Sequence, residues 1–203
     1  MRYPLSAGVP GFVLAVLALA GCATTSLVAS WTDESWQGGK REKLLVVGVA
    51  RDATLRRVYE DEFVRRAAAA GVQAVQSYRF IPEDGPVPEE RLRQAVAESG
   101  ADGVLTSALL AVTQQTTVSP GFAAPPVGFG YYGFYRWGWG SAVVAPTVQT
   151  YFVFFIDTRL HDAKSNALIW AGTTRTASFD SAAAEIRGFV DVVLGALRAK
   201  GVV

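Results

Sequence analysis

Cys22 is the only cysteine in this chain of 203 residues, and its thiolate is a strong nucleophile that could form a thioether. It stands directly behind Leu19, Ala20 and Gly21, whose last two side chains are small enough to leave the sulfur open to approach. The other residues with chemical potential form weaker groups. His161, the single histidine, adjoins Asp162 and makes half of a general-base arrangement. Both fall at a turn, where neighbours point apart, and no serine of the G-x-S-x-G kind is present. Glu60, Asp61 and Glu62 could pair carboxylates. Arg56, Arg57, Arg65 and Arg66 lie a turn away on either side, however, so a solvated, ion-paired face is expected. Gly128, Gly130 and Gly133 have the G-x-G-x-x-G spacing of a dinucleotide loop, but two prolines precede them and no helix is expected to follow. One histidine excludes a His-rich metal site, and no P-loop or H-E-x-x-H occurs. The chain is thus expected to be no enzyme, with no catalytic residue, metal or cofactor.

The setting of Cys22 is that of an export signal. Arg2 and the amino terminus give a positive start, and residues 12–20 (FVLAVLALA) are apolar and uncharged. The apolar stretch from Val9 to Ala20 is 12 residues, short of the ~20 that span a bilayer. Removal of residues 1–21 is therefore expected rather than a permanent span. Leu19-Ala20-Gly21-Cys22 resembles the lipobox of bacterial lipoproteins. That resemblance implies a diacylglyceryl group on the Cys22 thiol, cleavage before it, and acylation of the new amine. Several acyl chains hold a protein stably on a membrane surface. Ala23, where an Asp would favour the inner membrane, implies the periplasmic face of the outer membrane.

Charge is balanced, with 19 basic and 18 acidic side chains, and Arg2 leaves with the signal. No basic stripe appears, so nucleic acid is excluded as a partner. Cys22 is committed to lipid, so no disulfide can form, and a domain of this length can bury a sufficient core without one.

The elements follow as β-α-β-α-β, an insertion, then β-β-α. Residues 22–43 read as a lipidated tether that becomes an edge strand or docks on the domain, with Trp31 and Trp36 serving packing. Residues 44–50 (LLVVGVA) form a strand buried on both faces. Asp52 caps the following helix and Gly71 ends it, with Leu55, Val58, Tyr59, Phe63 and Ala67 as its buried stripe. A second strand covers 72–80, and Pro88 opens a helix that stops at Gly100. Residues 104–118 form a long third strand whose later half is polar enough for an exposed position. Strands 148–160 and 167–177 pair as an antiparallel hairpin around 162–166. A final helix, 181–200, buries Ile186, Phe189, Val190, Val193, Leu194 and Leu197. The expected fold is α/β, one domain over 44–203 after a cleaved signal peptide. Its mixed sheet of about five strands has helices packed on it.

On Ser30-Trp31, Gly38-Gly39, 44–50, 55–63, 98–104 (ESGADGV) and 160–170 the chain resembles a family of bacterial lipoproteins with a domain of unknown function. Its topology is similar to the amino-terminal domain of TolB, to the curli secretion lipoprotein and to the outer-membrane activators of peptidoglycan synthases. The resemblance implies protein–protein contacts in the cell envelope and brings no catalytic residues.

The insertion 119–146 is the other unusual feature. Its 119–141 part holds six glycines, three prolines and eight aromatic residues, and no helical or strand period is expected there, so a loop is the default. Tyr131, Tyr132, Phe134, Tyr135, Trp137 and Trp139 are the candidate contact residues. They could dock on another envelope protein or on a second copy of the chain. Alternatively they could stack on glycan rings or lie in a lipid interface.

Overall fold

The computed structural model describes residues 25–119, 130–140, 145–178 and 182–203. The signal 1–21 and Cys22 lie outside the described residues, as do Phe122, Phe129 and Gly128 of the insertion. The fold is a mixed α/β sheet of six strands flanked by helices. In chain order the elements are β1 (Thr25–Thr32), β2 (Lys43–Val49), α1 (Ala53–Ala69), β3 (Gln73–Gln76), α2 (Glu89–Ser99) and β4 (Gly103–Ser119). Then come α3 (Tyr131–Gly140), β5 (Thr147–Asp162), β6 (Leu168–Ser178) and α4 (Ala182–Ala199). Across the sheet the order is β1-β6-β5-β4-β2-β3. The extra strand is β1, which pairs antiparallel with β6 and turns residues 25–32 of the expected tether into an edge strand.

β2 runs parallel to both β3 and β4. The chain therefore crosses first to one side of β2 and then to the other, and right-handed crossovers place α1 and α2 on opposite faces. α4 packs against α1, β1 and β6, on the α1 face. There Leu44, Val46, Leu105 and Leu160 meet Tyr59, Phe63 and Ala67 of α1 and Phe189, Val190, Val193, Leu194 and Leu197 of α4. The expected stripe of α4 is thus the stripe observed. Asp52 caps α1 by accepting from the Leu55 amide at 2.8 Å, and Gly100 ends α2 at φ 62°.

Two expectations about α1 and its neighbour are corrected. Leu55 and Val58 are exposed, while Arg56 and Glu60 are buried, Glu60 completely. The helix is rotated so that residues 56, 60, 63 and 67 face inward, because Glu60 finds enough donors there to offset its desolvation. Its Oε1 accepts from the Gly48 amide (2.9 Å), Arg56 Nε (3.1 Å) and Ser77 Oγ (2.7 Å), and its Oε2 from the Tyr78 amide (3.0 Å). Arg56 also donates to Ser77 Oγ and to the carbonyls of Ile81 and Glu83. The same bonds shorten the expected second strand: β3 ends at Gln76, and Ser77–Arg79 form a 3-10 turn that delivers Ser77 and Tyr78 to Glu60. A side chain on Gly48 would start 2.9 Å from the Tyr59 ring, so the approach of α1 to β2 depends on that glycine. Of the acidic triplet, Glu62 keeps the expected ion pairs, with Arg65 and Arg66, while itself half-buried. Hydrogen bonding from Arg65, joined by Arg66, holds its carboxyl below the ordinary range.

At the opposite end of β4, Asp162 ties the β5–β6 turn to the chain before β2. It accepts from Ser165 N and Oγ at 2.7 Å each and from Arg41 Nη1 at 2.6 Å. Burial opposes its ionisation, but the Ser165 bonds and Arg41 outweigh it and hold the carboxyl below its ordinary value. Asp162 thus has a structural role and does not join His161. Burial, with Arg159 nearby, holds the imidazole below its usual pKa.

Candidate functional site

The sheet has one end at which several features collect. β2 and β4 finish there, β5 begins there, and so does β1 at Thr25. β2 leaves β4 at the Val49–Ala108 pair, and β6 joins β5 only from Phe152. Beyond these points β4 and β5 continue as a two-stranded ribbon to the Ser119–Thr147 pair. Thr25 stands opposite Thr176, and Thr176 opposite Phe154. From that level the ribbon runs on for about 23 Å at ~3.3 Å per residue. Tyr151 donates to Gln115 across it at 2.8 Å, and the Thr116 and Thr150 hydroxyls meet at 3.3 Å.

Between the ends of this ribbon lies α3, and here the sequence expectation of a loop fails. Residues 131–140 form a helix whose first bond runs from the Phe134 amide to the Gly130 carbonyl, 3.0 Å. No proline follows Pro126 before the helix begins, and ring pairs at helical spacing support it. Phe134 and Trp137 have centroids 5.8 Å apart, and Tyr135 and Trp139 6.3 Å. The glycine content masked that spacing. A helix does therefore begin within the G-x-G-x-x-G stretch, at Tyr131. Gly133 lies inside that helix, and β4 ends at Ser119, so the motif does not turn a strand directly into a helix as a dinucleotide site requires.

None of the residues of α3 is buried. Tyr131 is 93% and Trp139 80% exposed; Tyr132, Phe134 and Tyr135 are more than half exposed, and Trp137 is intermediate. At 3.6 residues per turn, Gly133, Arg136 and Gly140 fall on one flank and the six rings share the remainder. Such a helix gains nothing from the domain core and offers aromatic area outward, which marks a contact surface.

Beneath the ribbon, α1 and α4 part to leave a cavity of about 210 Å³ at the end of β2. Its walls include Val49, Leu55, Leu109, Phe154, Ile186 and Phe189, with Tyr59, Ser107 and Thr176 also lining it. Tyr59 Oη is 2.8 Å from Ser107 Oγ, which is 2.9 Å from Thr158 Oγ1. Burial pushes the Tyr59 phenol well above its usual range, so it stays protonated. The nearby Glu60 carboxylate already accepts four donors. Open ends of parallel strands beside a change in strand order are common ligand positions in α/β sheets.

Among the described residues, no group of three His, Cys, Asp or Glu side chains is placed to hold a metal ion. No described helix is long and apolar enough to cross a membrane.

No family model matches the chain, and no curated protein matches it. Solved structures show partial likeness, three of them as follows. The PelC dodecamer from Paraburkholderia phytofirmans is 12% identical over 83% of this chain and 94% of that one, with a TM-score of 0.43. Lipoprotein GNA1162 from Neisseria meningitidis is 14% identical over 77% and 98%, with a TM-score of 0.41. A PDZ domain protein from Parabacteroides distasonis is 8% identical over 86% and 36%, with a TM-score of 0.39. At these values the likenesses carry no argument, and the resemblance to bacterial lipoproteins rests on the residues quoted for it.

Proposed function

We propose that this chain is a non-enzymatic lipoprotein of the cell envelope, held by lipid on Cys22 at the periplasmic face of the outer membrane, that binds another envelope protein through α3. The observation that carries this reading is the placement of six aromatic residues, five of them more than half exposed, on a helix with no buried residue. Tyrosine and tryptophan supply large contact area at low entropic cost and dominate the anchoring positions of protein interfaces. Beside the hydroxyl chain of Tyr59, Ser107 and Thr158, the Glu60 carboxylate is taken up by four donors and Glu185 also has a partner, which favours binding over catalysis.

A second reading has its own support. The chain toward Cys22 departs at the same end of the sheet as the ribbon, so α3 could lie in the lipid interface, with its rings down and Arg136 toward the headgroups.

Co-purification of the full-length protein from mild detergent extracts of its own envelope tests the first reading. Tyr131, Tyr135 and Trp139 replaced together by Ser should remove the partner bands. Unchanged bands would reject α3 as the docking surface. Weakened binding to protein-free anionic vesicles in the same variant would support the second reading instead.

A further inference from the structure

We propose that the cavity between α1 and α4 is a binding site for one acyl chain of the lipid on Cys22. The inference rests on the lipoprotein reading above.

Its chemistry points to a hydrocarbon. Its polar groups have partners within the protein: Tyr59 meets Ser107 and Ser107 meets Thr158, Arg56 bonds Glu60, Ser77 and two carbonyls, and Glu185 too has a partner, so none requires a donor or acceptor from a ligand. At about 210 Å³ it is smaller than the roughly 300–1,000 Å³ of sites for drug-sized ligands, and it suits the end of a thin, flexible chain. Its mouth leaves apolar area in water: Val49 is 58%, Leu55 42% and Leu109 51% exposed. An acyl chain entering there would cover the side chains that the helices leave open.

Its position points to this particular acyl chain. Thr176, which lines the cavity, has its hydroxyl 2.9 Å from that of Thr25. Cys22 is three residues before Thr25, and three residues span at most about 11 Å. The thioether sulfur is therefore tethered within about 11 Å of Thr25, on the β6 side of the cavity, and tethering raises the local concentration of its acyl chains far above that of a free ligand. A chain drawn from a membrane phospholipid has the same chemistry without this advantage. The anchor thus has two resting places for one of its chains, the bilayer and the protein.

The test uses the full-length protein, produced in bacteria fed a palmitate analogue with a diazirine on its chain. Intact mass first reads acylation of Cys22. After irradiation, the expected product is a crosslink within one molecule, from the Cys22 lipid to the tryptic peptides containing Tyr59 and Phe189. Leu109→Trp and, separately, Leu55→Trp fill the mouth from exposed positions and should each reduce that product severalfold without changing the thermal midpoint. Crosslinks of phospholipid mass on these peptides, in place of the Cys22 lipid, would overturn the assignment in favour of free lipid. Acylated Cys22 with no crosslink to either peptide would overturn the site and leave the lipoprotein reading intact. A Cys22 without acyl mass would overturn both.

Discussion

Around Glu60 every polar atom has a partner: four donors converge on one buried carboxylate, and its ion-pair partner Arg56 closes on two carbonyls and a hydroxyl. Around α3 the opposite holds, with five of its six aromatic side chains more than half exposed and the helix contributing nothing to the buried core. Both regions belong to one sheet, and β4 passes from the first into the second. Up to Ala108 it is flanked by β2 and β5, and beyond that it keeps only β5. The contrast separates residues that hold the fold from residues kept available for contact. Substitutions in the two regions should therefore fail in different ways.

The largest effect is expected at Glu60. Glu60→Ala leaves the Arg56 guanidinium buried without its carboxylate, a change that costs about 3–5 kcal/mol. Urea denaturation should show this as a lower midpoint with an unchanged slope. A loss below about 1 kcal/mol, the range of surface ion pairs, would mean that the buried network does not hold the base together.

A smaller effect is expected at the far end of the sheet. Asp162→Asn weakens the bonds from Ser165 and Arg41 and should cost about 1–3 kcal/mol at neutral pH. The folded carboxyl sits below its unfolded value, so its contribution is fully present above the ordinary Asp pKa of about 4 and is lost as pH falls through the folded value. The gap between wild type and variant should therefore close in acid. A gap that stayed constant below pH ~4 would show that the charge of Asp162 is not what matters.

The smallest effect on stability is expected where the effect on binding is greatest. Tyr131, Tyr135 and Trp139 replaced together by Ser should shift the unfolding free energy by no more than about 0.5 kcal/mol, as for exposed sites without special contacts. A larger loss would place those rings in the core and erase the contrast between the two regions.

How legible each region was in the sequence follows from how local its causes are. The stripe of α4, the Asp52 cap, the Gly100 stop and the β5–β6 hairpin each depend on residues a few positions apart, and all could be read directly. Glu60 could not. It sits among two acidic and four basic neighbours that describe a solvated face, and what buries it is Ser77 and Tyr78, which reach it only once β3 breaks into a turn. The cavity is less legible still, since its walls come from β2, α1, β4, β5, β6 and α4 and no short stretch encodes it. α3 is an intermediate case. Its ring pairs at three- and four-residue spacing were present in the sequence, but glycine and proline nearby argued for a loop.

The most direct test of the account is fractionation of cells producing the full-length chain or its Cys22→Ser variant, with near-ultraviolet circular dichroism of both proteins as the check on folding. The account predicts an unchanged spectrum and transfer of the variant out of the washed outer-membrane fraction that holds the wild type. A folded Cys22→Ser protein that stays in that fraction would contradict it, and would assign the membrane attachment to α3 instead.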